Sequence, residues 1–339
     1  ALGGLLPSRS VSVPVHRPPR MDLYREFLQG SGQREVATTM AMVHLLGKLL
    51  KDKNLGRHVV PIVPDEARTF GMEALFRKIG IYSHVGQVYE PVDKESLLYY
   101  KEATDGQILE EGITEAGAMS SFVAAGTAYS TFGVNMIPFY FFYSMFGFQR
   151  IGDLIWAAGD AQARGFLLGA TAGRTTLAGE GLQHQDGHSH VLALTNPSVE
   201  AYDPAFAYEL AVIVREGLRR MLEDGDNVIY YLTLMNEFYP MPPMPQGVEA
   251  GILKGLYRLK ASSNKRTRIR AHLLGSGTIV NEALKAQAIL EADYGVAADV
   301  WSVTSYKKLY EDAVDAERRN LRQPDQAPRK SFIEEQLAG

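Results

Sequence analysis

Pro204–Met235 reads PAFAYELAVIVREGLRRMLEDGDNVIYYLTLM, and it decides the fold class. Pro204–Leu222 carries an apolar stripe at three- and four-residue steps, which predicts an amphipathic helix with Asp203 as its cap and proline at its first position. Asn227–Met235 (NVIYYLTLM) is a β-branched and aromatic run, which predicts a buried strand. Helix then strand, joined by a short polar turn, is the unit of a parallel sheet covered by helices.

The same alternation runs upstream. Arg34–Asp52 has helical spacing at Val36, Met40, Val43, Leu46 and Leu50, with His44 as a surface or packing residue. His58–Val63 (HVVPIV) predicts a buried strand, followed by helical spacing over Thr69–Ile79. Glu111–Tyr129 predicts a helix of small residues, Val134–Tyr143 a strand, Phe148–Ala163 a helix, Phe166–Thr171 a strand and Val199–Tyr202 a short extended segment. Tyr239–Gly247 holds four prolines in nine residues and marks a domain boundary. Beyond it, Arg268–Leu274, Ile279–Glu291 and Val300–Thr304 predict strand, helix and strand, with no further strand in the charged tail. Two strands make an incomplete second α/β domain. Residues 1–20 carry four prolines and three arginines without apolar period and read as a linker or arm.

Composition sets the outer limits. A chain of 339 residues exceeds the usual size of one core, about 250–300 residues, and suggests two domains. A formal charge of -4 gives no support for binding nucleic acid or an anionic membrane. The apolar run Met136–Tyr143 is too short to span a bilayer. Zero cysteines exclude disulfides and thiolate metal sites, which suits a reducing, cytoplasmic setting. No secretory signal is visible. The first residue is Ala1 rather than Met, which suggests a processed or excised piece.

Four groups of residues have chemistry to offer. Glu115 shares a helix face with Ala118, Met119, Phe122, Gly126 and Tyr129. A carboxyl on that face would be desolvated and kept protonated, unless it reaches solvent beside Glu110 and Glu111. Asp65-Glu66-Ala67-Arg68 follows a strand, where open α/β sheets bind ligands; helix capping by Asp65 is the plainer alternative. Tyr140, Tyr143, Phe146 and Phe148 are either core or a stacking surface for a flat ring. Gly179–His190 (GEGLQHQDGHSH) concentrates three of the eight histidines in a glycine-rich loop. It is either a functional loop or a polar surface loop. The spacing of His184, His188 and His190 matches no zinc motif, and Gly275-Ser276-Gly277 lacks dinucleotide-binding spacing.

Three runs carry a family likeness: VPDEARTFGMEALFRKIGIYS (63–83), FYSMFGFQRIGDLIWAAGDAQARGFLLGATAGRTTLAGEGLQHQDGHSH (142–190) and YDPAFAYELAVI (202–213). They resemble the homodimeric, thiamine-diphosphate-dependent decarboxylating component of the bacterial pyruvate dehydrogenase complex. The resemblance implies a transketolase-like, thiamine-diphosphate-binding α/β fold with a mostly parallel sheet flanked by helices. It implies a pyrimidine-binding domain over 21–245 and a partial C-terminal α/β domain over 246–339. The Gly-Asp-Gly motif of the family's diphosphate-binding domain is absent, since Gly152-Asp153, Gly159-Asp160 and Gly225-Asp226 are not followed by glycine. The chain is therefore expected to be a fragment, inactive alone, with the Mg2+ ligands elsewhere and no metal site of its own.

The implied activity is oxidative decarboxylation of pyruvate with reductive acetylation of a lipoyl group. The implied partners are a second copy of the chain and the dihydrolipoamide acetyltransferase component. By resemblance, Glu115 bonds the ring nitrogen of the cofactor's aminopyrimidine, Phe146 stacks on that ring and Tyr143 lies beside it. Asp65 and Glu66 match acidic residues near the active centre, and His184 matches a histidine suited to substrate binding or proton transfer. His188, His190 and Asp186 are expected to shape the loop. Another thiamine-dependent 2-oxo-acid enzyme, a transketolase-like enzyme and a non-catalytic dimerisation module are the alternatives.

Overall fold

The computed structural model describes residues 16–64, 67, 69–90, 100–173, 181–264 and 267–338. Its centre is a six-stranded sheet built from β1 (Val59–Val63), β2 (Leu109–Glu110), β3 (Ile137–Tyr143), β4 (Gly165–Ala170), β5 (Val199–Tyr202) and β6 (Ile229–Thr233). The spatial order is β2-β1-β3-β4-β6-β5. Every neighbouring pair is parallel.

Both faces of this sheet are covered, which is why its strands read as nearly continuous apolar runs. In β3, Phe139 and Phe141 join a core with residues of α2 (Thr38–Leu49) and of a helix over Ala207–Arg219. Tyr140 and Phe142 point the other way, into a core with Ala118, Met119 and Phe122 of a helix over Glu115–Gly126, and with Ile151 and Ile155 of a helix over Ser144–Asp160. In chain order the helices named below are α1 (Met21–Leu28), α2, α3 (Glu73–Ile79), α4 (Glu115–Gly126), α5 (Ser144–Asp160), α6 (Ser189–Thr195) and α7 (Ala207–Arg219). Close approach explains Gly126 inside α4, since a Cβ there would lie 2.6 Å from the Arg164 carbonyl.

The element boundaries move for identifiable reasons. α4 begins at Glu115 instead of 111, because Leu109–Glu110 pairs with Ile62–Val63 and the Thr114 hydroxyl caps the helix by accepting from the Gly117 N–H at 3.2 Å. α2 begins at Thr38, because Glu35–Val36 pairs with Tyr239–Pro240. α5 begins at Ser144, immediately after β3.

Asp203 does not cap α7, which starts at Ala207. Glu209 takes that role, its Oε2 accepting from the backbone N–H groups of Ala205 and Phe206 at 2.5 and 3.2 Å. The Asp203 carboxylate accepts instead from the hydroxyls of Thr233 and Ser276 at 2.6 and 2.7 Å.

After the proline-rich segment come α8 (Glu249–Lys254), β7 (Leu256–Lys260), β8 (Arg270–Gly275), α9 (Val280–Asp293), β9 (Ala297–Val303), α10 (Tyr306–Arg322) and α11 (Phe332–Leu337). Three strands lie in the order β7-β9-β8, with β8 parallel and β7 antiparallel to β9. The expectation of two strands missed β7, because LYRLK mixes apolar and charged residues over only five positions and shows no clear period.

This unit packs on α7 and on the edge strand β5. Glu209, 0% exposed, also accepts from Tyr257 at 2.6 Å and from Ser302 at 2.7 Å, both residues of the second unit. Burial raises its pKa, and all four donors work against that shift. Among the described residues, no helix is long and apolar enough to cross a membrane.

Candidate active site

The carboxyl ends of adjacent parallel strands are where an open α/β sheet gathers functional side chains. β2 leads into Glu115, β3 ends at Tyr143, and β4 leads toward the histidine loop. Phe146 lies in the first turn of α5, so the strand end and helix start place Tyr143 and Phe146 together. Their ring centroids are 6.1 Å apart, nearly perpendicular. His184 completes a triangle, 4.9 Å from Tyr143 and 5.4 Å from Phe146. Phe70 backs Tyr143 from below at 5.3 Å. The other two aromatics of the sequence cluster, Tyr140 and Phe148, are buried in the core. The cluster therefore divides into a structural pair and an accessible pair.

Glu115 lies at the start of α4, its side chain 16% exposed. The expected apolar face is present, with Ala118, Met119 and Phe122 buried below it. The carboxylate is not left unpaired on that face, however. Arg150 of α5 donates to its Oε1, and the same guanidinium lies 4.1 Å over the Phe146 ring. Arg150 thus connects the two residues singled out by sequence, and pattern reading missed it. The available signal was its place four residues after Phe146 on one helix face. Nothing local could show that Glu115, 35 positions away, would meet it. The Glu115 backbone carbonyl accepts from Tyr140 Oη at 3.4 Å.

The loop histidines take separate partners. Asp186 organises the turn into α6. Its Oδ1 accepts from the N–H groups of His188 and Ser189, both at 3.0 Å, and its Oδ2 accepts from the Ser189 hydroxyl at 2.5 Å. Burial opposes the charged form of Asp186, yet these bonds win and hold its pKa below the ordinary carboxylate range. His188 lies 2.5 Å from Gln149, and His190 Nε2 lies 2.9 Å from Thr233 Oγ1. Among the described residues, no group of three or more His, Asp or Glu could hold a metal ion. Asp65 and Glu66 lie outside the described residues.

The arrangement links a sheltered carboxylate, through Arg150, to an aromatic pair in ring contact with a histidine. Such a set can bind a flat ring by its face and exchange a proton at its edge.

Comparison with known proteins gives the family and the fold. A family model described as pyruvate dehydrogenase E1 component middle domain matches residues 22–242, and a transketolase-like C-terminal domain model matches residues 255–337. The pyruvate dehydrogenase E1 component of Pseudomonas aeruginosa is 58% identical over 342 residues, covering 100% of this chain and 38% of that protein. The Escherichia coli K12 protein of the same name is 53% identical, covering 98% of this chain and 37% of its own length. Among solved structures, transketolase from Campylobacter jejuni superposes with a TM-score of 0.64 at 17% identity, over 87% of this chain and 40% of that one. Transketolase from Leishmania mexicana gives 0.64 at 15% identity, over 91% and 39%. These two likenesses establish a transketolase-like α/β fold, and the chain spans less than two-fifths of the relatives it matches. Since the first family model covers well over half of the sequence, the chain belongs to the family of the pyruvate dehydrogenase E1 component middle domain.

Proposed function

We propose that this chain supplies the pyrimidine-side half of a thiamine-diphosphate site in a pyruvate-decarboxylating enzyme. The observation that carries the reading is that Glu115, Tyr143, Phe146 and His184 follow the carboxyl ends of strands of one parallel sheet, with Arg150 joining Glu115 to Phe146 and His184 in ring contact with Tyr143 and Phe146. The residues fit the group: an aminopyrimidine needs an aromatic contact on its face and a carboxyl at its ring nitrogen. When bound, the cofactor supplies an electron sink for the carbon-carbon bond broken in decarboxylation.

The chain's own residues do the rest. Phe146 and Tyr143 orient the ring and exclude water. Arg150 engages Glu115 Oε1, so we assign Oε2 to the ring nitrogen. His184, in contact with the Tyr143 and Phe146 rings, is assigned to the substrate carboxylate or to a proton transfer. Asp65 and Glu66 are assigned to the same centre on the strength of the family resemblance. Mg2+ would bind with the diphosphate, on residues outside this chain.

The activity of the whole enzyme is oxidative decarboxylation of pyruvate with acetylation of a lipoyl group, in a cytoplasmic homodimer working with the acetyltransferase component. Residues 21–245 are assigned to the pyrimidine-binding domain, and 246–339 to part of the C-terminal transketolase-like domain. The decisive experiment is Glu115→Ala in the full-length enzyme. Decarboxylation should fall about 10²- to 10⁴-fold with the fold intact, the usual weight of an acid-base group. Undiminished turnover removes Glu115 from the site. Assays with pyruvate and 2-oxoglutarate test the substrate.

A further inference from the structure

α6 has only seven residues, too few to hold a helix by itself. It carries the histidine loop at its start, and the C-terminal unit grips it at both ends. At its C-terminal end, carbonyls lack intrahelical donors. Those of Ala193 and Asn196 accept from the Asn196 and Val199 N–H groups at 3.3 and 3.2 Å and also from Lys307 Nζ, Ala193 at 3.0 Å. Lys307 belongs to the first turn of α10 and is 3% exposed. A lysine is rarely buried without partners. Burial lowers its pKa, and Glu311 at 3.8 Å opposes that shift.

The second tie starts at His190, in the first turn of α6. Thr233 Oγ1 has one proton, and its best acceptor is Asp203 Oδ1 at 2.6 Å rather than the Tyr202 carbonyl at 3.4 Å. Its lone pair therefore accepts from His190 at 2.9 Å, which requires a proton on Nε2. The other oxygen of Asp203 accepts from Ser276 at 2.7 Å, just after β8. A relay thus runs from α6 through the main sheet into the C-terminal unit.

We propose that Lys307 and the relay Ser276–Asp203–Thr233–His190 position the candidate active site, holding α6 from the C-terminal unit so that His184 stays against Tyr143 and Phe146. The path is short, because Asp186 bonds the first residues of α6 and lies two positions after His184. Its N–H also donates to the Gly173 carbonyl at 3.1 Å, beyond the end of β4. The inference rests on the proposed role of His184. Lys307 touches neither substrate nor cofactor and is a positioning residue.

The test uses the full-length, cofactor-loaded enzyme with Lys307→Met, Lys307→Arg and His184→Ala, singly and combined. Lys307→Met should speed amide exchange across residues 186–195 by about tenfold or more and leave β3 and β4 unchanged. It should lower kcat about tenfold, with KM and cofactor affinity changed less than about twofold, because only placement is lost. Lys307→Arg should recover most of that loss, since it keeps the cation and its donors.

In the His184→Ala background, the Lys307→Met effect on kcat should vanish. An equal loss in both backgrounds overturns the positioning role. If His184→Ala leaves kcat intact, the assignment of His184 falls; exchange at 186–195 then still decides the tether, and unchanged exchange overturns it. Should Lys307→Met not fold, Thr233→Val cuts the second tie and must show the same local exchange and the same dependence on His184. Failure to do so also overturns the proposal.

Discussion

Glu115 and Glu209 are two carboxylates in the first turns of helices on opposite faces of one sheet, and their surroundings differ sharply. Glu209 is fully buried and receives four donors, two from its own helix start and two from the C-terminal unit. Glu115 is sheltered but reachable, and its partner Arg150 has a side chain 48% exposed. A carboxylate whose lone pairs are used by its own protein is a structural fastener. One that is partly desolvated, beside an accessible aromatic and a histidine, is suited to a ligand. The contrast separates the junction from the site without reference to any relative.

The largest effect is expected at the junction. Glu209→Ala removes the acceptor of two backbone N–H groups and of the Ser302 and Tyr257 hydroxyls, the last keeping Tyr208 as a partner, and should cost about 3–5 kcal/mol of stability by chemical denaturation. Activity per folded molecule should not change. A cost below about 1 kcal/mol would erase the distinction between the two carboxylates.

The pH response gives a sharper, intermediate test, because Glu209 and Asp186 are shifted in opposite directions. The raised pKa of Glu209 means that its contribution is present below the unfolded value and lost as pH rises through the folded one. The lowered pKa of Asp186 means that its contribution is present above the unfolded value and lost as pH falls through the folded one. The stability difference between wild type and Glu209→Gln should therefore shrink as pH rises above the ordinary glutamate range, about 4. For Asp186→Asn, the difference should shrink as pH falls below about 4. Parallel pH trends for the two would contradict these surroundings.

The smallest effect is expected at the site. Arg150→Met removes a partly exposed ion pair and should change stability by less than about 1 kcal/mol. A larger loss would show that Glu115 is held as firmly as Glu209.

Much of this was legible in the chain. The alternation of apolar runs with helical stripes gave the α/β layer, and β5 was placed at its observed ends because VEAY is bounded by clear turns. Glu115 was marked by a charge on an apolar helix face, and Phe146 by its place just past an aromatic strand. Arg150, Glu209 and Lys307 were not legible in their roles. On a sequence each is an ordinary helix-surface charge, and its meaning lies in a partner on another element.

The sequence by itself determined most of the long strands and helices and which face of each is apolar, because those properties repeat over two or three to four residues; the short elements, β2, α6 and β7 among them, hold too few residues to show a period. Tertiary structure alone decided that α5 brings Arg150 to Glu115, that Asp203 bonds Thr233 and Ser276 instead of capping α7, and that Lys307 of the C-terminal unit bonds the carbonyls at the end of α6. Those outcomes depend on strand order and on how units pack. Hydrogen bonds act only over about 3 Å, so no pattern along the chain can announce them.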